Sequence, residues 1–248
     1  MDEWTKRYSV YNNLKWTGNN DLLENIKDMC ILKKSYIVCD IGTGTGIVAN
    51  YLSKYCKRVE GIDISSDMLK IANEKNNRKN VKFHLMNAEN ISFSNCVFDC
   101  VIARMSFHHI VNTKKAVCEC NRILKNNGKM IICEVIPPKN SVSFYHKFFK
   151  IKEKRHIFTK DNIIDLLKYG EFKSIKCKDF IMERVSIKNW LKNSGLSEHK
   201  QKIIFDMWLN SEDMVKKDHN LLINNRDIFV DWNFMLFSGI KSDSNKEN

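Results

Sequence analysis

A chain of 248 residues with 43% hydrophobic and 10% aromatic residues can bury the core of one large domain, which excludes global disorder. Its nine cysteines are scattered without a CxxC pair, so neither a disulfide framework nor a zinc site is indicated and we expect no metal. The net charge of +12 is compatible with an anionic partner, yet even the most basic run, KIKEKR at Lys150–Arg155, is short.

Hydropathy gives no sign of a membrane segment. No apolar stretch approaches the roughly 18 residues that would span a bilayer. The first ten residues, MDEWTKRYSV, lack the basic-then-apolar pattern of a signal peptide. We therefore expect a cytoplasmic protein that makes no use of a membrane.

Apolar runs of strand type alternate with helical runs from residue 35 onward. SYIVCDI, KRVEGIDI, VKFHLM, VFDCVIARM and GKMIICEVI predict five strands. Between them, TGIVANYLSKYC, SSDMLKIANEK and TKKAVCECNRILK predict helices, the second capped by Ser65 or Ser66 and the third stopped by Gly128 in a left-handed conformation. Strands joined by short helical crossovers predict a parallel, doubly wound, Rossmann-like sheet.

The pattern changes after Pro137 and Pro138. Residues 139–158 are basic and aromatic without strand character, and FTKDNIIDLLKYG predicts a helix capped by Thr159. EFKSIKCKDFIME predicts a sixth strand and RDIFVDWNFMLFSGIK a final, antiparallel one, while residues 187–219 indicate helices with breaks near Gly195 and Asn210.

We expect one domain with a seven-stranded sheet, mostly parallel. Residues 1–30 would form an N-terminal helical segment, and 31–183 with 227–241 the Rossmann-like core. Residues 184–226 would form a helical lid, because long insertions with their own secondary structure are commonly functional.

The run VCDIGTGTGI places glycine at every second position directly after the first predicted strand. Glycines there let a ligand approach the backbone and the amino terminus of the next helix, as in sites for dinucleotides and for S-adenosylmethionine. The dinucleotide fingerprint G-x-G-x-x-G needs its third glycine where this chain has Ile47, whereas glycine stands at Gly46. The spacing therefore disfavours a dinucleotide.

With Asp40 two residues before Gly42, the run resembles the first motif of class I S-adenosylmethionine-dependent methyltransferases. The resemblance extends through Asp63, NAENISF, FDCVIARMSFHHI and NRILKNNGKMIICE, covers residues 35–136, and is most similar to the quinone-methylase-like branch. It implies S-adenosylmethionine as cofactor and S-adenosylhomocysteine as product, bound by Asp40, Gly42, Thr43, Gly44, Gly46, Asp63, Ile64, Met68, Asn87, Ala88, Glu89 and Arg104.

The resemblance also implies roles for three of these side chains. Asp40 would orient the amino group of the cofactor, and Asp63 would accept hydrogen bonds from both ribose hydroxyls. Asn87 stands where the family usually has an acidic residue, and its carbonyl oxygen can still accept from the adenine amine.

Candidates for the chemistry follow the fourth predicted strand. His108 or His109 could be a general base, although both could instead cap the next helix or pack under the cofactor. ARMSFHHI contains neither the Asn/Asp-Pro-Pro-aromatic motif of DNA amino methylases nor a Pro-Cys pair. The acceptor pocket could be lined by His146, Arg155, His156 and Trp208, and the aromatics Trp4, Tyr8, Tyr11 and Trp16 could fold over the cofactor.

Two functions remain open at this point. The favoured one is a methyltransferase acting on a small molecule, because no nucleic-acid motif occurs. The alternative is a modifier of RNA or the translation machinery, or an S-adenosylmethionine-binding module without transfer activity, which the charge of +12 keeps open. Nothing in the sequence indicates an oligomeric state.

Overall fold

A mixed sheet forms the centre of the computed structural model, which describes residues 13–14, 17–224 and 226–242. Its strands are β1 (Ile37–Ile41), β2 (Arg58–Asp63), β3 (Val81–Leu85), β4 (Phe98–Arg104), β5 (Leu124–Val135), β6 (Phe172–Ser186), β7 (Leu222–Asn224) and β8 (Asp227–Lys241). Their order is β3-β2-β1-β4-β5-β8-β6, and β7 pairs with β8. Strands β1 to β5 are parallel and β8 is antiparallel to its neighbours, so the predicted doubly wound sheet is confirmed.

Helices cover both faces of this sheet. They are α1 (Asn20–Cys30), α2 (Ile47–Leu52), α3 (Ser66–Lys75), α4 (Thr113–Ile123), α5 (Val142–Lys152), α6 (Lys160–Tyr169), α7 (Ile187–Lys192), α8 (Glu198–Leu209) and α9 (Asp213–Asp218). One buried apolar cluster contains side chains of α1, α2, α5, α7 and α8, and the other contains side chains of α4 and α6. Two such layers around one sheet are the usual way to bury both of its faces.

The caps predicted for two helices are present. The Ser65 side chain accepts a hydrogen bond from the backbone N–H of Met68 at the start of α3. At the start of α6, Thr159 and Asn162 form a reciprocal capping box.

The prediction that Gly128 stops helix α4 in a left-handed conformation is wrong. Helix α4 already ends at Ile123, and the left-handed residue is Asn127, with φ 61°. Gly128 is required by a close approach instead, because a Cβ there would lie 2.7 Å from the carbonyl oxygen of Lys125.

Three elements differ from the predicted pattern. Helix α5 lies in the basic and aromatic region where no element was predicted, and the short strand β7 makes the sheet eight-stranded. Strand β6 continues into the predicted lid, because Val185 and Ser186 still pair with β8. The helices of that segment therefore occupy Ile187–Asp218.

The aromatics Trp4, Tyr8, Tyr11 and Trp16 lie outside the described residues. Within the part of the chain that the structure describes, no helix has the length and apolar character needed to cross a membrane.

Helix α8 packs into the core through Trp208 and Ile204. The Trp208 side chain is completely buried, with its ring centroid 4.8 Å from that of Phe144 and 5.8 Å from that of Phe148 on α5. Ile204, one turn earlier on α8, is also completely buried. This packing makes α8 a structural element and not a loose cover.

We expect Trp208→Ala to lower the free energy of unfolding by about 3–5 kcal/mol, since it leaves a large cavity in a packed core. The control is Lys202→Ala on the exposed face of the same helix, which should change it by less than about 0.5 kcal/mol. Urea unfolding followed by circular dichroism measures both. A loss below about 1 kcal/mol for Trp208→Ala would contradict the core position.

Candidate functional site

A cleft opens at the carboxyl ends of the parallel strands, where β1 lies between β2 and β4 and the strand order reverses. We call it the glycine-loop cavity; its empty space is about 1140 Å³, including the open mouth. Among the predicted cofactor residues, it is lined by Asp40, Gly42, Thr43, Gly44, Asp63, Ile64, Met68, Asn87, Ala88, Glu89 and Arg104. The sequence therefore identified residues that the fold brings together.

Gly46 is the exception. It caps α2 and does not line the cavity. A Cβ at this position would lie 2.6 Å from the ring of Phe83 on β3. Gly46 is therefore required by the packing of α2 against the sheet.

Two glycines of the loop differ in their surroundings. Gly42 and Gly44 both have positive φ, at 64° and 55°. A Cβ on Gly42 would lie 2.4 Å from Cβ of Ser106, whereas a Cβ on Gly44 would have no described neighbour within 4 Å. Gly42 thus lets the loop meet the end of β4, and Gly44 lies where the backbone faces open space.

Asp63 connects the loop to the end of β2. Its Oδ2 accepts a hydrogen bond from the Gly44 N–H at 2.8 Å, and its Oδ1 accepts one from the Ser65 N–H at 2.9 Å. A carboxylate oxygen can accept two hydrogen bonds. Asp63 can therefore brace the loop and also accept from hydroxyl groups of a ligand.

Asp40 is a buried acid at the base of the cavity. Burial raises the pKa of its carboxyl to about 7, although the hydrogen bond that it accepts from the Thr43 hydroxyl at 2.7 Å and the positive charge of Arg104 lower it. Arg104 is itself buried and donates to the carbonyl oxygen of Thr17 at 2.7 Å. This end of the cavity therefore presents an ionisable acid next to a fixed cation.

A turn after β3 and apolar side chains also line the cavity. The Asn87 side chain accepts from the Glu89 N–H at 2.8 Å, and the Glu89 carboxylate accepts from the Asn112 N–H at 3.0 Å. Ile64 and Met68 line this part of the cavity, and Ile64 is 64% exposed. An exposed isoleucine beside polar backbone suits a flat, partly apolar ligand group.

A second cavity adjoins the first. We call it the aromatic cavity; its empty space is about 820 Å³, including its mouth. Five of the side chains that line it are aromatic: Tyr145, Phe148, Phe149, Trp190 and Trp232. Met105 and His109 line both cavities, so the two spaces meet at these residues.

The two histidines occupy a short 3-10 turn, Phe107–His109, after β4. His108 is buried, and its Nδ1 lies 2.6 Å from Oε2 of Glu134 on β5. Burial and then the neighbouring His108 lower the pKa of His109 well below its usual value. Asn112 caps α4, so neither histidine has the capping role that the sequence left open.

The acceptor-pocket candidates are divided by the fold. Arg155 and His156 line the aromatic cavity. His146 lies on the exposed face of α5 and lines a neighbouring groove that Arg155 and His156 also line, whereas Trp208 is in the core and lines neither cavity. The cavity is also lined by residues that no sequence motif indicated: Tyr145, Lys152, Glu153, Trp190 and Trp232.

Across residues 13–14, 17–224 and 226–242, no group of three or more His, Cys, Asp or Glu side chains could hold a metal ion.

Residues 39–132 match the family model described as a methyltransferase domain. Demethylmenaquinone methyltransferase of Thermotoga maritima is 34% identical over 152 residues, which are 60% of this chain and 65% of that protein. The uncharacterized methyltransferase YcgJ of Bacillus subtilis is 29% identical over 125 residues, 48% of this chain and 49% of that protein. The sequence matches thus span only about half to two thirds of these relatives.

Solved structures agree with the fold. The crystal structure of YcgJ superposes with a TM-score of 0.82 at 20% identity, covering 91% of this chain and all of that one. A putative methyltransferase from Bacillus halodurans gives 0.78 at 22% identity, with 89% and 99% covered. Together with the family match, these comparisons confirm the resemblance to class I methyltransferases and their quinone-methylase-like branch.

We expect Gly42→Ala to destabilise the protein more than Gly44→Ala. Each substitution places alanine in the left-handed region, at a cost of about 1–2 kcal/mol. Gly42→Ala additionally forces a methyl group into Ser106, which should add about 1–3 kcal/mol. Urea unfolding measures the difference, and equal destabilisation by the two variants would contradict the close approach.

Proposed function

Since the chain carries a class I S-adenosylmethionine-dependent methyltransferase domain, we propose that it transfers the methyl group of S-adenosylmethionine to a small-molecule acceptor. The observation that carries this proposal is the meeting of two cavities at Met105 and His109. A donor in the glycine-loop cavity and an acceptor in the aromatic cavity would come together at that point.

The residues of the glycine-loop cavity fit this cofactor. Gly44 leaves room against the backbone, Asp40 and Arg104 offer opposite charges for an amino acid group, and Asp63 offers acceptors for ribose hydroxyls. Ile64 and Met68 offer apolar contacts for an adenine ring. When bound, S-adenosylmethionine would supply an electrophilic methyl group, whose bond to sulfur would break as the acceptor bonds to the carbon in line, leaving S-adenosylhomocysteine. The protein contributes orientation and exclusion of water.

We assign the general base to His109 and not to His108. The lowered pKa of His109 keeps its ring neutral near pH 7, so it can take a proton from an acceptor at the junction. His108 already interacts with Glu134 and positions the turn that carries His109.

The predicted lid is proposed to act through α7. Trp190, Asn193 and Ser194, in and just after this helix, line the aromatic cavity. Helix α8 instead packs into the core through Trp208. The acceptor would therefore be covered by α7 and the turn that follows it.

We expect Asp63→Ala to weaken binding of S-adenosylmethionine by about 2 kcal/mol or more, because a charged acceptor of hydrogen bonds is lost. Isothermal titration calorimetry measures the affinity. Glu74→Gln on the exposed side of α3 removes the same charge and should leave the affinity unchanged. Unchanged affinity in Asp63→Ala, or tight binding of NAD by the native protein, would refute the cofactor assignment.

We expect His109→Ala to reduce methyl transfer by about 10²–10⁴-fold while the affinity for S-adenosylhomocysteine changes little. Reduced demethylmenaquinone is the first acceptor to assay, because the Thermotoga relative is named for it. Because the pKa of His109 is lowered, the native rate should be level above pH 6.5 and fall only in more acidic solution.

The control for that experiment is His199→Ala, which removes an exposed histidine on α8. It should leave the rate and its pH profile unchanged. Methyl transfer at the native rate by the His109→Ala protein would contradict the assignment of His109 as the general base. Tight binding of a tRNA or rRNA fragment at about 0.15 M salt would instead favour the RNA alternative.

A further inference from the structure

Three charged side chains are buried at one wall of the aromatic cavity. Lys152, Glu153 and Arg155 line it, and their side chains are 5%, 1% and 9% exposed. Lys152 Nζ lies 2.9 Å from Glu153 Oε2, and Arg155 Nη1 lies 3.3 Å from Glu153 Oε1. One carboxylate therefore faces two cations.

A second acid lies nearby but does not balance this charge fully. The Glu134 side chain is 1% exposed, and burial raises the pKa of its carboxyl to about 7, with Arg155 lowering it. Its Oε1 accepts from the His108 backbone N–H, and its Oε2 lies 2.6 Å from His108 Nδ1. Burial favours the neutral form of Glu134, so this acid offsets the charge of the two cations less than an exposed carboxylate would, and an uncompensated buried charge is costly.

Arg155 uses little of its hydrogen-bonding capacity. A guanidinium has five N–H donors, yet among the described residues Arg155 donates one hydrogen bond, the 3.3 Å contact with Glu153. Its Nε and the hydroxyl of Tyr145, which also lines the cavity, are buried with no hydrogen-bond partner in the described part of the chain. The Arg155 guanidinium lies over the ring of Phe149, 4.3 Å from its centroid, which keeps the planar group at this wall.

We propose that the aromatic cavity takes an acceptor that has an aromatic ring and one anionic oxygen group, and that Arg155 binds this group. The ring of the acceptor would pack among Phe148, Trp190 and Trp232. The negative charge would balance the two cations and occupy donors of the guanidinium. This inference rests on the proposed function, in which the aromatic cavity holds the acceptor.

Cinnamate and its neutral counterpart cinnamamide test the proposal, because they share a ring and differ in the charge of one group. Calorimetry in the presence of S-adenosylhomocysteine gives the affinity of the native protein for each. We expect cinnamate to bind at least about 10-fold more tightly, as a charged hydrogen bond would provide. The ratio of the two affinities is the readout, since a general loss of folded protein would not change it.

Three variants test whether the preference for cinnamate over cinnamamide depends on Arg155. Arg155→Gln should bring the ratio to within twofold of one, and Arg155→Lys should retain part of it. Lys154→Gln removes one positive charge from the exposed neighbouring residue and should leave the ratio unchanged. If Arg155→Gln fails to fold, a lower ratio in Arg155→Lys than in the native protein still supports the proposal.

Other outcomes overturn the inference. They are equal affinities for the two probes in the native protein, a ratio that Arg155→Gln and Arg155→Lys leave unchanged, or no binding of cinnamate by a protein that binds S-adenosylhomocysteine. Failure of the proposed function has a different signature, the absence of S-adenosylhomocysteine binding, which is measured independently of the ratio.

Discussion

The buried carboxylate of Glu134 on β5 determines where both cavities meet. It accepts from backbone N–H groups of the turn after β4, including that of His108 at 3.3 Å, and its Oε2 lies 2.6 Å from Nδ1 of the His108 ring. His108 in turn accepts at its carbonyl oxygen from the His156 N–H at 2.8 Å, which holds the segment that carries Arg155. Because an acid that is 1% exposed is stable only with such partners, the turn has little freedom to move. His109 is thereby held between the cavities.

Much of the fold could be predicted because β1, β4 and the second half of β5 are largely apolar runs and glycine, proline or a helix cap follows several elements, although β3 alternates apolar and polar residues. The signal for α5 was also present: Tyr145, Phe148, Phe149 and Lys152 are all buried and recur at i, i+3, i+4 and i+7. This buried face was not recognised because it includes Lys152, and a lysine is normally expected to be exposed to solvent. Strand β7 had no such signal, because its three residues are exposed and it exists only through pairing with β8.

The two cavities differ in how much of them the sequence reveals. The glycine-loop cavity is built from short segments at successive strand ends, each with its own local pattern, so a motif at fixed spacing identifies its residues. The aromatic cavity is assembled from α5, α7 and β8, with Tyr145, Trp190 and Trp232 far apart in the chain. No local pattern relates these residues. Their relation arises only when α7 packs against β8, where the rings of Trp190 and Trp232 lie 5.3 Å apart.

The sequence alone also does not show which charged residues are buried, and this affects what can be inferred about binding partners. In the sequence, KIKEKR is a short basic run that is compatible with an anionic partner, either a nucleic acid or an acidic small molecule. The fold divides it: Lys150 and Lys154 are exposed, while Lys152, Glu153 and Arg155 are buried at the aromatic cavity. An exposed lysine is screened by water and salt, whereas a buried cation acts strongly on a ligand a few ångströms away. The buried part of this run faces a cavity of small-molecule size, which is consistent with the small-molecule acceptor proposed above.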